Sequence, residues 1–198
     1  LQCEEGYYIA DDEELDAYVN GEKAYVSAQD GDRTTLTVGY SVPVASGVRG
    51  QAVSFLDGSD VTVALFAAGS AQPQYTVTVP AGEKSGGKYT AVYDIPSVAA
   101  GTYTVQVSKK NHVTREYTVT VGGDVKTLNV EIRLLGDVNG DGRVNAMDCT
   151  RLYKHVNKTQ LLTDHYALKC AETNGDGRVN AMDCTRLFKH VNKTQLLW

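Results

Sequence analysis

The chain has 198 residues, room for one large domain or two small ones, and no uninterrupted apolar run near the roughly 20 residues that a bilayer crossing needs, so a helical membrane protein is excluded. Its net charge of -5 hides two unlike parts: residues 1–135 hold 10 Lys+Arg against 17 Asp+Glu, while residues 136–198 hold 9 against 7. The basic excess lacks the dense Lys/Arg clusters and interleaved aromatics of a nucleic-acid binder, and we read it as a match for an acidic protein surface.

The start, Leu1-Gln2-Cys3-Glu4-Glu5, has neither a basic n-region nor an apolar h-region, so no targeting signal is read and an excised fragment is expected. Asp11 to Asp16 is an acidic run able to open a short helix, whereas Ala24 to Val26 and Thr34 to Val42 have strand character. Residues 1–46 are therefore a β-rich segment, either extra strands of the next module or the tail of one upstream. From residue 47 to residue 135 apolar residues alternate with period two: Val61, Val63, Leu65; Tyr75, Val77, Val79; Tyr103, Val105, Val107; Tyr117, Val119, Val121; and Leu128, Val130, Ile132, Leu134. Breaks at Asp57-Gly58, Pro80-Ala81-Gly82, Ser85-Gly86-Gly87, Ala99-Ala100-Gly101 and Gly122-Gly123 cut this into about seven strands of an antiparallel β-sandwich. Ile95-Pro96-Ser97-Val98-Ala99-Ala100-Gly101-Thr102-Tyr103-Thr104-Val105, with His112-Val113-Thr114-Arg115-Glu116-Tyr117 after it, resembles the carboxypeptidase-regulatory-like, transthyretin-like sandwiches, which implies an accessory module.

Residues 136–198 form a second, helical module built on a repeat. Laid on residues 172–197, residues 137–162 are identical at 23 of 26 positions; the exceptions are Asp137/Glu172, Val138/Thr173 and Tyr153/Phe188. Each copy opens with a twelve-residue loop in the layout of an EF-hand. Calcium, a hard cation, takes about 6 to 8 oxygens. The first loop offers Asp137, Asn139, Asp141, the carbonyl of Arg143, Asn145 through water, and Asp148. The second offers Glu172, Asn174, Asp176, the carbonyl of Arg178, Asn180 and Asp183, and is expected to bind more weakly because Glu172 replaces the usual Asp. Two Ca2+ sites result.

A helix follows each loop, capped by Asn145 with Asp148 and by Asn180 with Asp183. No helix is read before the first loop, since Lys126 to Leu135 alternates as a strand; the unit is a loop with its exit helix only. The run Asp-x-Asn-x-Asp-Gly-x-Val-Asn-x-x-Asp then Cys-Thr-Arg-Leu-x-Lys-His-Val, twice within about 60 residues, resembles the dockerin modules of cellulosomal proteins. That resemblance implies a secreted protein whose partner is a cohesin on an extracellular scaffold. Projected at about 100° per residue from Cys149, the first helix puts Leu152, Tyr153 and Val156 within about 60° of that residue, on the core side, and Met147, Arg151, Lys154 and Lys158 near the opposite pole. The candidate docking residues are Ala146, Met147, Arg151, Tyr153, Lys154 and Lys158, and their repeats Ala181, Met182, Arg186, Phe188, Lys189 and Lys193. Either helix is expected to present this face, with only Tyr153 against Phe188 telling the copies apart, and Trp198 is expected to close the second repeat on Leu135 or Gly136.

The four cysteines show neither CxxC nor a zinc spacing. Cys149 and Cys184, repeat equivalents, read as small core residues, with a bridge between them or between Cys3 and Cys170 left open. His112, His155, His165 and His190 stand in no nucleophile or base arrangement, and His155 and His190 read as surface residues. Catalysis is not expected, nor a small-molecule substrate. Two alternatives remain: a calcium sensor or buffer, which needs paired complete EF-hands, and sugar binding by tyrosines of the sandwich, most of which cross-strand packing explains.

Overall fold

The structure is a computed structural model that describes residues 46–198 and three earlier strands, and it divides into two compact units, residues 1–44 and 45–198. In the first unit β1 (Ala17–Val19), β2 (Glu22–Gln29) and β3 (Leu36–Gly39) make an antiparallel sheet in the order β1-β2-β3. Ala24 to Val26 lies in β2, as read from the sequence, and a register shift between Val26 and Ala28 marks a bulge. The acidic run and Cys3 lie outside the described residues.

The second unit opens with β4 (Gly47–Ser54), β5 (Val61–Ala67), β6 (Tyr75–Val79), β7 (Lys84–Ser85), β8 (Lys88–Pro96), β9 (Gly101–Lys109), β10 (Arg115–Val121), β11 (Val125–Thr127) and β12 (Val130–Glu131). One sheet runs β10-β9-β5-β6; the other runs β11-β4-β8-β7, with β12 also on β4. The alternating residues meet between them as anticipated: Val61, Val63, Leu65, Tyr103, Val105 and Val107 from one sheet pack with Val48, Ala52, Ala91, Tyr93 and Ile95 from the other. Outward positions carry threonines that pair across strands, Thr62 with Thr78 and Thr102 with Thr120.

Lys126 to Leu135 departs from the single strand its alternation predicts. It makes two short pieces, both parallel to β4, in an otherwise antiparallel assembly. The break has local causes. The Leu128 carbonyl accepts the Tyr93 hydroxyl, and the Asn129 side chain accepts the Gln51 N–H, so residues 128–129 turn toward β4 instead of continuing the ladder. Gly50 leaves room for this: a Cβ there would stand 2.0 Å from the Leu128 oxygen.

Three helices follow, α1 (Ala146–Val156), α2 (His165–Ala171) and α3 (Ala181–Val191). α2 corrects the sequence reading, which had only the helices after the loops. Asp164 caps it by accepting the Tyr166 N–H at 2.9 Å, and Tyr166, Ala167, Cys170 and Ala171 form its buried side. The module's core is Val138, Leu152, Leu162, Ala167, Ala171, Leu187 and Leu197, separate from that of the sandwich. Across the junction Tyr166 donates to the Val113 carbonyl at 2.6 Å and accepts the Arg133 N–H at 2.9 Å, and the Leu135 N–H reaches the Asn111 carbonyl. Among the described residues no helix is long and apolar enough to cross a membrane.

Candidate metal loops and docking face

Each loop is wound around its own acidic side chains. In the first, Asp137 is fully buried and accepts the N–H groups of Gly140 (2.7 Å) and Gly142 (3.0 Å). Asn139 accepts Asp141 N–H, Asp141 accepts Arg143 N–H, and Asp148 accepts Val138 and Asn139 on one oxygen and Asn145 on the other. The second loop repeats this with Asn174, Asp176 and Asp183. It differs at its first position, where Glu172 uses Oε1 for both Gly175 and Asp176 and the Gly177 N–H is not taken.

Burial pushes the Asp137 carboxyl up to about 6, and the neighbouring charges of Asp148 and Asp141 push the same way against the two backbone N–H bonds. Asp148 is raised for the same leading reason. Buried, mutually repelling carboxylates with only oxygen donors around them suit a hard divalent cation. Among the described residues no three His, Cys, Asp or Glu side chains converge on one point. Within the loops the acidic oxygens accept backbone N–H groups and, at Asp141 and Asp176, the side-chain amides of Asn139 and Asn174 as well, and the remaining donors are Asn side chains and a main-chain carbonyl.

The same caps start the helices. Asn145 accepts Met147 N–H while Asp148 accepts Asn145 N–H, and Asn180 with Asp183 does likewise, so the twelfth loop residue is also the third residue of the helix. α1 and α3 thus leave their loops in equivalent fashion and expose Met147 (66%) and Met182 (65%). Ala146, Met147, Arg151 and Lys154 come together around a 330 Å3 cavity, as do Met182, Arg186 and Lys189 around one of 240 Å3; Ala181 is exposed beside the latter.

Three expectations about this face are corrected. Tyr153 is 63% exposed, not on the core side, and Phe188 matches it at 61%; both stand over a 430 Å3 groove between α1 and α3 with Cys149, Thr150, Cys184 and Thr185. Lys158 and Lys193 lie beyond the helices and do not follow their period, because α1 and α3 end at Val156 and Val191 and both lysines take φ of +58°. The copies also differ beyond Tyr153 and Phe188: Arg151 is exposed, whereas Arg186 is half-buried with an unpartnered Nε.

Other side chains have roles that the sequence reading missed. His155 and His190 accept the Leu162 and Leu197 N–H groups at Nδ1 and so tie the segment after each helix back onto it. Gln160 and Gln195 line the two cavities beside Lys154 and Lys189, and Thr150 and Thr185 stand next to them; the repeat itself was the signal for all four. Trp198 packs on His190 with ring centroids 4.6 Å apart, and it is Leu197 that reaches Gly136. Cys149, Cys170 and Cys184 are free thiols, Cys149 and Cys184 half-buried.

Residues 135–192 match the family model described as the dockerin type I domain. The dockerin module read from the repeat is thereby borne out over that stretch. No curated protein matches the chain. Two similar solved structures are type II cohesin–X-dockerin complexes from Acetivibrio cellulolyticus carrying interface mutations. One, with a C-terminal interface mutation, is 23% identical, covers 73% of this chain and 94% of its own, and has a TM-score of 0.31. The other, with an N-terminal interface mutation, is 23% identical, covers 74% and 92%, and has a TM-score of 0.27.

Proposed function

We propose that residues 136–198 are a calcium-dependent docking module that binds a cohesin on an extracellular, cellulosome-type scaffold and so anchors its parent protein, with residues 47–135 as an accessory sandwich. The observation that carries this reading is the pair of near-identical loop-helix units within the dockerin match, each placing an exposed Met beside Arg and Lys. Asp137, Asn139, Asp141, Arg143, Asn145 and Asp148 would hold one ion, and Glu172, Asn174, Asp176, Arg178, Asn180 and Asp183 the other. A bound ion would neutralise the buried carboxylates and fix the start of each helix, which positions the docking side chains.

The basic, Met-containing face calls for an acidic, apolar-centred patch on the partner and slower association at higher salt. Calorimetry of the full chain against a panel of cohesins, with calcium and with chelator, tests the proposal: binding to one or more cohesins that chelation abolishes is expected, and no binding to any in saturating calcium would overturn it. One observation favours the sensor alternative, since α2, the second loop and α3 complete a helix-loop-helix. A sensor would bind an amphipathic helical peptide in calcium and no cohesin.

A further inference from the structure

The two loops are alike in sequence but not in surroundings. Gly142, sixth in the first loop at φ +82°, lies against the ring of Phe55 from the sandwich, and a Cβ there would be 2.2 Å from Phe55 Cε1. Gly140 faces the Arg133 guanidinium, whose Cζ would be 2.8 Å from such a Cβ. A Cβ at the counterparts Gly177 and Gly175 would meet nothing within 4 Å.

Phe55 is itself immobilised. It is 2% exposed, its N–H donates to His112 Nε2 at 3.0 Å, and its carbonyl accepts from the buried Lys109 ammonium at 3.4 Å. A fixed ring therefore backs the turn from which the next residue, Arg143, would offer its carbonyl to an ion. Ordering a Gly-rich loop costs backbone entropy at every residue, and a preformed turn removes part of that cost from binding. The second loop has no such support. Arg133 places a positive charge near the first loop, but Asp164 pairs with it at 3.1 Å.

We propose that Phe55 is a positioning residue for the first loop, so that the two loops take calcium unequally, the first more tightly, for a reason independent of Glu172. The inference rests on the calcium reading above. Calorimetric titration of the full chain with calcium tests it, with Asp141→Ala and Asp176→Ala assigning each binding step to its loop. Phe55→Ala is expected to weaken the first loop about 10- to 100-fold, the range for loss of a group that orients metal ligands, and to leave the second unchanged, while Phe55→Leu restores most of the affinity. Weakening of both loops alike, or of neither, overturns the role of Phe55 and leaves calcium binding standing; a parent chain that takes up no calcium overturns the calcium reading and the inference with it. Amide hydrogen exchange in the calcium-free parent supplies a readout that needs no variant to fold. Slower exchange at Arg143 than at Arg178, whose N–H groups are bonded alike to Asp141 and Asp176, is expected, and equal rates overturn the proposal.

Discussion

Tyr166 joins the helical module to the sandwich through a single hydroxyl. It donates to the Val113 carbonyl and accepts the Arg133 N–H, and its ring lies 4.5 Å from the Arg115 guanidinium. Tyr166→Phe would keep the packing and strand both backbone groups, at a cost of about 1 to 3 kcal/mol. A urea unfolding curve checks this, and a shift below about 0.5 kcal/mol would show that water takes over both bonds. His190 supplies a second prediction, this one in pH. Its Nδ1 accepts the Leu197 N–H, so the neutral form is the one the fold uses, and burial holds its pKa below the ordinary 6.5. The unfolded chain therefore takes up the proton first. The contribution of His190 to stability is fully present above pH 6.5 and is lost as pH falls from there toward the depressed folded value. The melting temperature of the parent should fall more than that of His190→Gln between pH 7.5 and pH 5, and the difference isolates this group from the carboxylates; parallel curves would refute it.

At the scale of elements, α1 and α3 are two presentations of one face. The repeat equivalents Met147 and Met182, and Lys154 and Lys189, stand in matching positions, so a partner that recognises one set finds the other after a rotation of about 180° if the repeats are related by a pseudo-twofold. Met147→Ala with Lys154→Glu, or Met182→Ala with Lys189→Glu, should each leave most of the affinity for a cohesin, and the four together should abolish binding. If one pair alone abolishes it, a single orientation is used. Arg186 is half-buried and Arg151 exposed, so unequal affinity in the two orientations is expected despite the sequence identity. Projection along an ideal helix put Met147, Arg151 and Lys154 on the exposed side, where they are found, because it needs only the 3.6-residue period, but it misjudged Tyr153 at the edge of the stripe. It failed at Lys158, because a helix end is set by capping: the Asn157 side chain returns to the Tyr153 carbonyl and Lys158 turns left-handed.

For the whole molecule, calcium is expected to act as a folding ligand. A site filled at about 100 times its dissociation constant adds roughly 2.7 kcal/mol, a large share of what a small helical module has. Chelation should lower the melting temperature followed at 222 nm in the full chain; an unchanged curve would remove calcium from the account. The sandwich braces the module through Tyr166, Leu135 and Phe55, so the two should also tumble together, and independent rotational correlation times by NMR relaxation would contradict the braced junction.

The sandwich strands, the two loops with their caps and the face holding Met147 and Met182 were legible in the residues, because each follows from a short-range period or a fixed spacing that one segment carries by itself. The break at residues 128–129 was not, since it answers to Tyr93 and Gln51, distant in the chain. The short helix α2 escaped because its seven residues hold barely two turns of pattern. The unequal settings of the loops were beyond any reading of the repeat: near-identical sequences fold much alike locally, and only the tertiary structure decides that Gly142 lies against Phe55 while a Cβ at Gly177 would meet nothing within 4 Å.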